Sequence, residues 1–152
     1  MIIIKKAMIT KEVIRHSNHG DFDISQGNLI MKGGGHGQNN IRFLRKMKID
    51  YKTNLEYNNG VRLGNVSIHK KEQNRTKNRQ AWFPKSWTSE DIKKAARYVL
   101  SLKKNQNKPY GTSLVGTMNK VKVGVVVRDG YVTTIHPIYK QKSIVKYDIR
   151  KK

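Results

Sequence analysis

The residues best suited to chemistry lie in the run HSNHGDFDISQGNLIMKGGGH, from His16 to His36. Histidine gains and loses a proton near neutral pH without help, so two of them can supply both a base and an acid. The chain has no cysteine and only 10 Asp and Glu against 32 Lys and Arg, which leaves histidine as the main acid–base group. Gly33, Gly34 and Gly35 stand directly before His36. A backbone without Cβ lets a ligand approach its N–H groups. A glycine-rich turn carrying two surface histidines is the plainer alternative. The cation that such a site needs for developing negative charge would come from residues 69–80, HKKEQNRTKNRQ, an apolar-free run that reads as an exposed loop.

The positioning elements are legible in part. The first 15 residues suggest a short strand over Ile2–Ile4, then a helix or extended lead-in through Val13 and Ile14. Gly20-Asp21 and Gln26-Gly27-Asn28 are turn signals around a strand-like Phe22–Ile24, and Leu29–Met31 reads as a strand entering the glycines. Ile41, Phe43, Leu44 and Met47 are apolar anchors. Asn58-Asn59-Gly60 marks a turn before a strand at Val61–Ile68. Trp82, Phe83 and Trp87 read as core anchors, although such rings can also stack on bases. Thr88 is a good N-cap with Asp91 three residues on, and Ile92, Ala95, Ala96 and Val99 share a helical face.

The C-terminal third is β in pattern. Val121, Val123, Val125 and Val127 alternate onto one face. Asp129-Gly130 predicts a two-residue hairpin turn. On the return strand, Tyr131–Ile138, simple alternation places Val132, Thr134 and His136 on one face and Tyr131, Thr133 and Ile135 on the other. Pro137 limits pairing beyond that point. No repeat or long linker divides the chain, so residues 1–152 read as one domain, with 1–12 as a possible lead-in.

Composition narrows the partners. A net charge of +22 spread along the chain is the footprint of a polyanion ligand, nucleic acid first. No apolar run approaches a membrane helix, and no cationic amphipathic helix favours a lipid surface, so no stable membrane association is expected. MIIIKKAMITKEV has the wrong order for a signal peptide, which suggests a cytosolic protein or a fragment of a longer one. Disulfides and thiolate metal sites are excluded, and no carboxylate–histidine cluster suggests a hard metal. A basic nucleic-acid-binding module without catalysis remains an alternative on charge alone, and it would show salt-dependent binding without cleavage.

Three motifs in order carry a resemblance. His16-Ser-Asn-His19-Gly20-Asp21, Gly34-Gly35-His36 and Thr134-Ile135-His136-Pro137 resemble the H-x-x-x-G-[DE], G-G-H and T-x-Y-P motifs of the EndoU uridylate-specific endoribonucleases. WFPKSW, Trp82 to Trp87, is similar to a stretch of the bacterial branch of that family, used as toxins. The resemblance implies an α+β fold of barnase–EndoU–colicin–RelE type, with antiparallel β-sheets flanking a catalytic cleft and a packed helix. It implies metal-independent cleavage of RNA, tRNA near uridine foremost, by 2′-OH attack to a 2′,3′-cyclic phosphate, without a cofactor.

Carried over residue by residue, His16 and His36 match the two family histidines. His19, seventeen positions from His36 where His16 is twenty, competes for the first role. Lys77 fits the family lysine, with Lys70 and Lys71 as alternatives. His16 is expected as base and His36 as acid, with the roles exchangeable. Lys77 would stabilise the phosphorane, assisted by backbone N–H groups near Gly35. Thr134 would bind a base edge or phosphate. His136, standing where the family has tyrosine, would stack on a base or ribose. His69 has no counterpart and reads as surface. The resemblance further implies the toxin end of a larger secreted protein, acting in a target cell's cytoplasm and neutralised by an acidic immunity protein.

Overall fold

The computed structural model describes residues 3–151. Among the described residues, four α-helices and three antiparallel sheets make a mixed α+β architecture around two apolar cores. In chain order the elements are α1 (Lys11–Asn18), β1 (Asp21–Ser25), β2 (Asn28–Gly33), α2 (Gln38–Lys46), β3 (Tyr51–Tyr57) and β4 (Arg62–Val66). Then follow α3 (Glu72–Thr76), β5 (Gln80–Trp82), α4 (Ser89–Ser101), β6 (Ser113–Met118), β7 (Val121–Arg128), β8 (Tyr131–Pro137) and β9 (Val145–Asp148).

The larger core lies between α4 and the sheet β6-β7-β8. Thr88 starts α4 with a complete capping box: its hydroxyl accepts from the Asp91 N–H, and the Asp91 carboxylate accepts from the Thr88 N–H. Ile92, Ala95, Ala96 and Val99 form the buried face, as their spacing predicts. Val121, Val123, Val125 and Val127 meet it from β7. Phe83 and Trp87 stack at 4.9 Å within the same core.

The smaller core joins Met31, Ile41, Leu44, Val66 and Trp82. Neighbouring residues on an extended strand face opposite ways. Trp82 at the end of β5 therefore enters the small core while the adjacent Phe83 enters the large one. β5 is the seam between them. It is also an end strand of the sheet β5-β4-β3-β9, and β8 is an end strand of the other large sheet.

Several expectations change. Ile4–Lys6 forms a 3₁₀ turn, so no strand forms at Ile4, while Ile2 lies outside the described residues. Met47 is 47% exposed and anchors nothing. β4 is shorter than Val61–Ile68. The run 69–80 is not simply an exposed loop: it contains α3, and both His69 and Gln80 are buried. On β8 the face assignment fails at one residue. Val126 pairs with Thr134 and Val127 with Val132, so Thr133 is left over as a β-bulge. The extra residue resets the alternation. Val132 joins Ile135 in the core, while Thr134 and His136 face away from it.

Candidate active site

The site is built where the end of α1 meets the glycine loop. Thr10 caps α1 by accepting from the Val13 N–H at 3.1 Å, and His16 falls in the last turn. The last carbonyls of a helix have no partner inside it. Here His16, Ser17 and Asn18 offer theirs to the N–H groups of Gly35, His36 and Gly37 in turn. This ladder fixes one histidine against the other. A Cβ on Gly34 would overlap the His16 carbonyl oxygen, and Gly34 has φ +64°, so this close approach needs glycine.

The His16 Nδ1–H donates to Asp21 Oδ2 at 2.6 Å, leaving Nε2 for the cleft. The same carboxylate accepts from Arg15. Burial alone would raise the Asp21 pKa, but the hydrogen bonds from Arg15 and His16 hold it below its ordinary value. Asp21 thus stays an anion facing any charge that the ring acquires.

His36 is set differently. Its Nδ1–H donates to the Ala81 carbonyl at 2.8 Å, and its own carbonyl accepts from the Phe83 N–H. β5 and the residue that follows it therefore grip both ring and backbone, and Nε2 is left as a bare acceptor. Burial, then the neighbouring His136, push its pKa down to about 3 against the opposing pull of the Ala81 bond. Gln80 secures the loop from below, donating to the Gly34 and Gly35 carbonyls at 3.1 and 2.7 Å.

These groups border a cleft of about 440 Å³. Its lining includes His16, Gly34 and His36 from α1 and the glycine loop, and Thr134, His136 and Tyr139 from β8 and the segment after it. The His36 and His136 ring centroids are 5.9 Å apart. Burial lowers the His136 pKa, although its bond to the Pro137 carbonyl opposes this. Tyr139 stands 6.5 Å from His136, with the Arg79 guanidinium 5.6 Å over its ring.

The remaining candidates separate. His19 packs edge-on against Phe22 and tilted against Phe43 instead of lining the cleft. Lys77 C-caps α3 and, like Lys70, is not part of the lining. Lys71 and Lys32 do line it, and Lys32 lies 3.9 Å from Asp23. The Gly35 N–H is occupied by the His16 carbonyl, so Gly33 and Gly34, not Gly35, border the cleft.

His69 is no surface residue: it is 3% exposed and borders the cleft. Its Nδ1 accepts the Lys71 N–H at 2.9 Å. Burial, then Lys71 and Arg75, lower its pKa to about 4, so the ring is neutral with its proton on Nε2.

Sequence reasoning assigned no role to Asp21, Gln80 or Tyr139. Asp21 is the acidic member of the first motif and was open to such a reading. Gln80 ends a charged run, where nothing local signals burial. No group of three or more His, Asp or Glu among the described residues is arranged to hold a metal ion. Among the same residues no helix is long and apolar enough to cross a membrane.

This α+β protein has a cationic cleft edged by an Asp-paired histidine and a neutral one, which can hold a polyanion beside groups able to take and give protons. The profile of the bacterial EndoU nucleases matches residues 10–139, and the chain belongs to that family. Membership makes it a nuclease that binds and cleaves RNA. No curated protein and no solved structure matches the chain.

Proposed function

We propose that the protein is a metal-independent endoribonuclease in which His36 is the general base and His16, backed by Asp21, the general acid. The observation that carries this is the opposite setting of the two rings in one cleft. A neutral histidine with Nδ1–H anchored on a carbonyl presents Nε2 as an acceptor. A histidine against a carboxylate tolerates positive charge and presents Nε2–H as a donor. His36 Nε2 takes the 2′-OH proton and the 2′-oxygen attacks phosphorus. The P–O5′ bond breaks, and the 5′-oxygen takes its proton from His16. The products are a 2′,3′-cyclic phosphate and a 5′-hydroxyl end. This exchanges the roles first expected for the two histidines.

Lys71 is the cation for the phosphorane, since it lines the cleft and forms no ion pair among the described residues. Thr134 offers a hydroxyl to a base edge or phosphate. Tyr139 supplies a partly exposed aromatic face for base stacking, with His136 beside it. Uridine in tRNA is the substrate we favour, on the strength of the family motifs. We further read the chain as the toxin end of a longer secreted protein that acts in a target cell's cytoplasm. A charge of +22 suits an acidic immunity protein covering the cleft.

The test is incubation with tRNA and a single-uridine oligonucleotide in excess chelator, with product ends read by mass. A cyclic phosphate at a defined site supports the mechanism. Intact RNA that is nevertheless bound supports the non-catalytic module. Cleavage only after metal is restored refutes metal independence.

A further inference from the structure

A second concavity of about 440 Å³ lies beside Lys120, Lys122 and Lys142. Its lining includes Asn58, Asn59 and Gln141 and no carboxylate among the described residues. None of the three lysines forms an ion pair among those residues.

The concavity opens on the same face of the sheet as the cleft. Val121, Val123 and Val125 point into the core, so Lys122 and Gly124 point the other way. Gly124 pairs directly with His136, and a Cβ there would stand 2.9 Å from the His136 ring and from Ile138. The missing side chain lets that ring lie down on β7. Lys122 is two residues along the same strand face, ~7 Å away. The segment that follows β8 also connects the sites, with Tyr139 at the cleft and Gln141 and Lys142 at the lysines.

The lysine-bearing segments are locked together. Buried Gln141 accepts from the Lys122 N–H at 2.8 Å and donates to the Lys122 carbonyl at 2.9 Å and the Ile138 carbonyl at 2.6 Å. Asn59 donates to Gln141 Oε1 and to the Lys120 carbonyl. Lys120 is itself placed against backbone preference. It is the second residue of the two-residue turn joining β6 and β7, with φ +68°. The other two-residue turns, Gln26-Gly27 and Asp129-Gly130, have glycine at that position. A lysine where the backbone favours glycine points to a use for its side chain.

We propose that Lys120, Lys122 and Lys142 form a phosphate subsite that holds the RNA strand beside the scissile bond, which extends the ribonuclease reading above. It predicts that the lysines matter for long substrates and not for a dinucleotide, which occupies the cleft alone.

The test compares the wild type with Lys120→Gln/Lys122→Gln/Lys142→Gln, with the single variant Lys122→Gln, and with a control triple, Lys93→Gln/Lys94→Gln/Lys104→Gln. The control residues are exposed on α4 and in the turn after it, and α4 packs on the opposite face of the sheet. Binding of a non-cleavable 2′-fluoro oligonucleotide of about eight nucleotides is followed against salt. Cleavage of the dinucleotide uridylyl-adenosine is measured in parallel.

Each phosphate contact on a single strand contributes about 0.7 to the slope of log affinity against log salt. The subsite triple should therefore lower the slope by about 2 and affinity by at least tenfold at low salt. Lys122→Gln alone should lower the slope by about a third of that. Dinucleotide kcat/KM should stay within about twofold, because no cleft group is touched. An unchanged slope, a loss equalled by the control triple, or an equal loss on the dinucleotide overturns the subsite. If the wild type cleaves neither the dinucleotide nor the unmodified RNA oligonucleotide of the same sequence, the ribonuclease reading fails while the binding comparison still decides the subsite.

Discussion

Which histidine donates the proton can be settled by changing the leaving atom. The perturbation is His16→Ala or His36→Ala, each assayed on ordinary RNA and on RNA whose scissile 5′-oxygen is replaced by sulfur. A sulfur leaving group departs as a thiolate and needs no general acid. Burial holds the His36 pKa far below neutral, so at pH 7 very few molecules carry a proton there. An acid present in so small a fraction forfeits most of the roughly 10²–10⁴-fold that general acid catalysis supplies. A pH profile alone does not separate the assignments, because two titrating groups give the same bell with either one as acid.

On ordinary RNA both variants should lose about 10²–10⁴-fold in kcat. On the sulfur substrate His16→Ala should recover to within about tenfold of wild type, and His36→Ala should remain as impaired as before. Rescue of His36→Ala instead, with none for His16→Ala, would refute the assignment.

Three further outcomes are expected. Lys71→Gln should lower kcat by about 10²–10³-fold, as for loss of a group that stabilises transition-state charge, while Lys77→Gln should stay within a few-fold. The reverse pattern in steady-state assays would restore Lys77 to the role. Thermal melts should show stability falling as pH drops from about 6.5 towards 4, because His36, His69 and His136 all have lowered pKa values in the folded state. The unfolded chain then binds more protons than the native one, so acid favours unfolding; a flat melting temperature across that window would contradict the burial of these rings. Thr88→Ala should cost about 1 kcal/mol through loss of the α4 cap, read by denaturant unfolding, with kcat unchanged.

The parts of the molecule legible in the sequence are those governed by neighbours along the chain. The α4 cap and buried face, the valine alternation of β7 and the Asp129-Gly130 turn, with φ +52° and +82°, follow from local backbone preference and periodicity. The motif histidines and Thr134 were equally visible, and the cleft does collect His16, His36, Thr134 and His136.

Tertiary structure decided the rest. One extra residue at Thr133 turned Val132 into the core and away from Thr134 and His136, and period-2 reasoning cannot see a bulge before strands pair. Seventeen-residue spacing kept His19 in contention until packing placed its ring against Phe22 and Phe43. The run 69–80 looked uniformly solvated, yet His69 and Gln80 are buried because their partners, Met31 and the glycine loop, lie dozens of residues away. The sequence by itself therefore determined the class of chemistry, since residue types and motif order are local facts. The roles we propose for His16, His36 and Lys71 rest on the fold instead, because each depends on a carbonyl, a carboxylate or a cleft wall contributed by distant chain.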